Sequence, residues 1–105
     1  MRGKVEICGI NTSKLQTLKS DEVTQLLRQA KNGDTEAREK LIYGNLRLVL
    51  SVVQKFLNRG ENVDDLFQVG CIGLMEAIDN FDINQPVRFS TYGVPMIVGE
   101  IRRYL

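Results

Sequence analysis

The chain has 105 residues, 43% of them apolar, and a formal net charge of +1. That length suits one domain, which buries roughly 65% of the surface its unfolded chain exposes, enough for a modest core without a metal or disulfide. With no histidine and only two cysteines, Cys8 and Cys71, the common zinc sets and a disulfide framework are excluded, and no nucleophile–base pair presents itself.

The composition therefore points to a binding protein with no cofactor, no metal and no catalytic residues. No stretch approaches the length of a membrane span, and Met1 to Ile10 do not read as a signal peptide, so a cytoplasmic location with reduced thiols is expected. The near-neutral total hides local asymmetry. Residues 61–82 carry six acids (Glu61, Asp64, Asp65, Glu76, Asp79, Asp82) and no base, whereas 46–60 carry Arg47, Lys55 and Arg59 and no acid. Residues 83–105 carry Arg88, Arg102 and Arg103 against Glu100. Opposite patches adjacent in sequence suggest two different partners.

Residues 1–19 lack helical periodicity and hold Gly3, Gly9, Asn11, Thr12 and Ser13. They read as a flexible N-terminal arm with a short extended piece over Val5 to Ile10. Ser20 is placed to cap a first helix, with Asp21 and Glu22 in its first turn and Val23, Leu26, Leu27 and Ala30 on its inner face. Asn32-Gly33 ends it, and Asp34 caps a second helix with Ala37, Leu41 and Ile42 inside.

After Gly44-Asn45, the stripe Leu46, Val49, Leu50, Val53, Phe56 and Leu57 predicts a third helix, with Arg47, Gln54 and Lys55 outside it. Asn62 caps a fourth, Val63 to about Asp79. A loop, Asn80 to Phe89, holds Pro86. The last helical segment, Ser90 to Leu105, contains Pro95, which sits well only in a first turn; the helix is expected to start near Val94 or to kink there. The expected fold is all-α, a bundle of four to five helices behind a flexible arm.

Two of these helices have two faces. On 63–79, at about 100° per residue, Leu66, Val69, Gly70, Gly73, Leu74 and Ala77, flanked by Phe67 and Ile78, face inward. Gly70 and Gly73 admit a close neighbour. The opposite stripe is Asp65, Gln68, Ile72, Met75 and Asp79. An apolar centre in a polar rim looks like a docking surface. The wheel leaves a second reading equally open, in which the loop or arm covers Ile72 and Met75. On the last helix, Ile97, Val98, Ile101, Tyr104 and Leu105 are expected to face the core, with Pro95, Met96, Gly99, Arg102 and Arg103 opposite. Arginines flanking a glycine suit a phosphate backbone, and Phe89 and Tyr92 beside Arg88 suit stacking on unpaired bases. The competing readings are solvated arginines and rings that belong to the core, the latter favoured for Phe89.

The run Asp64-Asp65-Leu66-Phe67-Gln68-Val69-Gly70-Cys71-Ile72-Gly73-Leu74-Met75 resembles the segment with which bacterial sigma factors grip the clamp helices of RNA polymerase. Arg88 to Met96 resembles the segment that opens the promoter −10 element, Ile97 to Leu105 the start of the −10 recognition helix, and Asn45 to Val49 the opening of region 2. The arm Val5 to Ile10, with Thr12 to Leu15, is similar to that of the late-forespore sporulation subgroup.

The resemblance implies a helical domain over 20–105, from region 1.2 into region 2.4, cut short at Leu105. It implies polymerase binding through Asp65, Gln68, Ile72 and Met75, and promoter DNA binding through Arg88, Tyr92, Gly99, Arg102 and Arg103. Tyr92 would stack on the flipped −10 adenine. The implied partners are core RNA polymerase and promoter DNA, in the forespore if the subgroup holds. The alternative is the same domain held inactive by an anti-sigma factor on the same face; an unrelated helical scaffold is the third reading. Housekeeping sigma factors carry two tryptophans where Pro95 and Met96 stand, so the duplex-wedging role does not carry over, and Gly93 stands where alanine is usual.

Overall fold

The computed structural model describes residues 6–7, 10–11, 15 and 17–105. Two short strands, β1 (Glu6–Ile7) and β2 (Ile10–Asn11), pair antiparallel with Ile7 opposite Ile10. They fall where an extended piece was expected, and β1 lies alongside the fourth helix. Residues 1–5, 8–9, 12–14 and 16 of the arm, and the flexibility expected there, lie outside the described residues.

Helices follow in the expected order. The first, α1 (Ser20–Lys31), starts at the proposed cap itself: Lys19, one residue earlier, occupies the cap position, and its backbone N–H donates to the Glu22 carboxylate at 2.9 Å. The second, α2 (Thr35–Gly44), is capped by Asp34, whose Oδ1 accepts from the Ala37 N–H at 3.1 Å. Leu18 packs on the bare Cα of Gly44, and Arg47 donates to the Leu15 carbonyl at 2.6 Å, which ties the approach to α1 onto the bundle.

The third stripe is not one helix. After α3 (Leu46–Val53) the chain tightens into a 3-10 turn over Gln54–Arg59. At three residues per turn the phase slips. Phe56 stays buried, but Leu57, expected in the stripe, is 41% exposed, and Val52 is buried instead. Gly60, at φ 79°, closes the turn in a left-handed conformation that suits glycine.

The most extensive packing is between α4 (Val63–Asn80) and α5 (Phe89–Tyr104). Asn62 caps α4 by accepting from the Asp64 and Asp65 N–H groups. The inward stripe of α4 is buried at Leu66, Phe67, Gly70, Gly73, Leu74, Ala77 and Ile78, while Val69 is half-buried. The helices run antiparallel: Gly73 meets Ile97, and Ala77 meets Gly93. With Leu41, Val49 and Val53 from α2 and α3, this seam holds the centre of the core.

Two expectations for α5 are corrected. The helix does not start near Val94: it begins at Phe89, six residues ahead of Pro95, because Phe89 and Tyr92 anchor its first turn on Phe81. The donor that Pro95 lacks would have reached the Thr91 carbonyl, and Thr91 is exposed, so water can serve it. Ile97 and Ile101 are buried and Val98 half-buried as expected, but Tyr104 is 45% and Leu105 40% exposed.

Candidate docking and nucleic-acid interfaces

The outward side of α4 carries Asp65, Gln68, Ile72 and Met75. Asp65 and Gln68 are exposed, Ile72 is 46% exposed and Met75 is half-buried. The structure thus brings all four to one face, with the apolar pair following the acid and the amide along the helix. Asp79, at the end of this stripe, has a different task. Its carboxylate accepts two bonds from Arg38 of α2, Nε to Oδ1 and a terminal nitrogen to Oδ2, each 2.9 Å. Its carbonyl accepts from Lys31 Nζ at 3.0 Å.

These two cations sit at the C-terminal end of α4, where the helix dipole is negative, and lash it to α1 and α2. The hydrogen bond from Arg38 holds the Asp79 carboxyl below its usual range against the opposing effect of desolvation, and Asp79 raises Arg38.

The exposed side of α5 carries the other set. Arg88 takes the cap position and is exposed; Arg102 and Arg103 are exposed in the last turn; Gly99 lies between them and Tyr92. These five residues share one helix face at about 100° per residue. Tyr92 is half-buried. Its ring packs 5.3 Å from Phe81 at a tilt of 59°, and Phe81 makes an edge contact with Phe89 at 5.5 Å. Phe89 is a core residue, as favoured. Tyr92 is braced on one side by the core and partly open on the other.

Along the seam between the two faces, sequence reading missed a cluster. Glu100 accepts an ion-pair hydrogen bond from Arg103, and Glu76 of α4 hydrogen-bonds to Glu100. The bond from Arg103, then that from Glu76, holds the Glu100 carboxyl below its usual range. Glu76 is pushed up, first by its hydrogen bond to Glu100, then by desolvation and repulsion. No local signal links positions 24 residues apart. Among the described residues no group of His, Cys, Asp or Glu could hold a metal ion, and no helix is long and apolar enough to cross a membrane.

Both faces lie on one helical hairpin, that of α4 and α5. Residues 41–105 match the model for Sigma-70 region 2, and the chain belongs to the sigma factor family. Within that family it is sigma-G-like. It is 72% identical over 102 residues to the RNA polymerase sigma-G factor of Clostridium acetobutylicum, covering 97% of this chain and 40% of that protein. It is 70% identical over 105 residues to the RNA polymerase sigma-G factor of Bacillus subtilis, covering 99% and 40%. With a putative RNA polymerase sigma-G factor of Bacillus thuringiensis subsp. kurstaki the identity is 68% over 104 residues, covering 99% and 83%. The chain thus spans 40% of the length of the first two relatives.

Proposed function

We propose that this chain acts in transcription initiation as the part of a sporulation sigma factor that docks on the clamp helices of core RNA polymerase and captures the promoter −10 element. It works by binding and not by catalysis, in the cytoplasm of the forespore. Residues 20–105 form the working domain. Asp65, Gln68, Ile72 and Met75 meet the polymerase. Arg88, Arg102 and Arg103 meet phosphates, Gly99 lets the backbone come close, and Tyr92 stacks on an unpaired base.

The observation that carries this reading is the placement of the two sets on adjacent helices of one rigid hairpin. Both polymerase and DNA can then be engaged at once. The acids of α4 steer the domain to a basic partner, since long-range charge mainly raises the on-rate. Flipping a base costs a few kcal/mol, and one stack returns roughly 1–3 kcal/mol. Tyr92 can therefore trap an opened base but cannot open the duplex alone, which makes the polymerase contact necessary for melting. The test is a pull-down of core polymerase with the parent chain and with Ile72→Glu. Capture by the parent and loss with the variant, at unchanged melting temperature, is the expected result.

A further inference from the structure

The guanidinium of Arg103 does not project from the cationic face. It folds back along α5. Its two terminal nitrogens lie 3.8 and 4.0 Å from where a Cβ on Gly99 would stand, and one of them donates to Glu100. The bare surface of Gly99 is therefore partly overlain by the chain's own arginine. Glu100 in turn sits against Glu76 of α4, so the carboxylate facing Arg103 is backed by a second acid across the seam.

We propose that Glu100 is a positioning residue for DNA binding: it occupies Arg103 over Gly99 in the free protein, and a phosphate must displace it before Arg103 and Gly99 can engage the backbone. This rests on the DNA-binding reading of α5. A carboxylate on Arg103 imitates the phosphate it would meet, since both offer paired anionic oxygens to the guanidinium. Because Arg103 is open to solvent although Glu100 is half-buried, the restraint is modest, and a nucleic acid presenting several phosphates can overcome it. Its effect is to subtract one phosphate contact from weak encounters, which sharpens the difference between passing contact and a strand held at several points.

The probe is a labelled thymidine single strand of about 20 nucleotides, titrated with the parent chain over a salt series; each phosphate neutralised on a single strand adds about 0.7 to the slope of log affinity against log salt. Glu100→Gln is expected to tighten binding about two- to fivefold at low salt and to steepen the slope by about 0.7. Arg103→Gln in the Glu100→Gln background should remove the whole gain. Glu36→Gln, an equal charge change on exposed α2 surface, should change nothing, and thermal melts confirm that every variant folds.

A gain that persists without Arg103 means that Glu100 acts only as general negative charge and overturns the proposal. So does an unchanged or weaker Glu100→Gln. Salt-dependent binding that Arg102→Gln weakens, with no response to Glu100→Gln, overturns this proposal alone. No binding by any variant overturns it together with the DNA-binding reading.

Discussion

A methyl group placed on Gly73 would lie 2.7 Å from the Cα of Ile97 and 2.7 Å from the carbonyl oxygen of Met96. Those are backbone atoms, which cannot turn aside, so α4 and α5 must move apart to admit any side chain. The distance between the docking face and the cationic face is thereby set by one residue. Gly73→Ala is expected to destabilise the domain by about 1–3 kcal/mol despite alanine's better helix propensity. Denaturant unfolding measures this. Gly70→Ala, which meets side chains rather than backbone, Val49 at 2.7 Å, Ile97 at 3.4 Å and Val53 at 3.6 Å, should cost less.

Gly93 is the contrasting case. A Cβ there would meet Phe89 at 3.7 and 3.8 Å and Ala77 at 3.9 Å, ordinary contact distances, in the first turns of α5. Gly93→Ala should therefore stabilise by about 0.5–1 kcal/mol, through the entropy that glycine loses on entering a helix. The same unfolding curves test it, and a loss of stability would show that the Phe89 packing does not tolerate the methyl.

The Arg38–Asp79 pair gives a pH-dependent prediction. The carboxyl of Asp79 is depressed in the folded state by Arg38. Its contribution is therefore complete above the unfolded carboxylate pKa of about 3.9 and is lost as pH falls through that value toward the lower folded one. Side-chain exposures of 37% and 52% limit the effect. Asp79→Asn should cost about 0.2–1 kcal/mol at neutral pH, and the difference from the parent should vanish near pH 2. Melting curves across that range measure it.

Much of this was legible in the sequence, wherever local period decided the outcome. The inward stripe of α4, the caps at Asp34 and Asn62, and the close approach at Gly70 and Gly73 follow from residues within a turn or two of each other. What was not legible depended on distant partners. Arg38 and Asp79 are 41 residues apart, and their pairing takes Asp79 out of the outward stripe. A helix start near Val94 was one expectation from Pro95, and the helix starts earlier because Phe81 supplies an anchor for Phe89 and Tyr92 that propensity cannot anticipate. Leu57 was misplaced because the change from 3.6 to three residues per turn has no clear signal in an apolar run. The four residues of the outward α4 face and the five of the exposed α5 face were named from sequence, and each set shares one side of its helix. The place of Glu76 beside the Glu100–Arg103 pair was not, since it depends on the packing of α4 against α5.

The docking face should separate binding from stability. Ile72→Ala and Met75→Ala remove apolar groups from the outward side of α4, and each should change stability by less than about 1 kcal/mol. Gln68→Ala should behave likewise. All three should weaken the complex with core polymerase, as read by titration. A cost of several kcal/mol in folding would instead mark the residue as core.

The central claim is that one rigid hairpin presents a polymerase face on α4 and an unpaired-base face on α5. Its most direct test is titration of a single-stranded oligonucleotide carrying the −10 adenine into the chain bound to polymerase clamp helices, beside the same strand lacking that base. The parent should prefer the adenine strand by about 1–3 kcal/mol. Tyr92→Phe should keep that preference, because stacking uses the ring, and Tyr92→Ala should abolish it while weak phosphate binding remains. If Tyr92→Ala binds as tightly and as selectively as the parent, with its fold intact, Tyr92 is only a packing partner of Phe81 and the cationic face of α5 is not where the base is read.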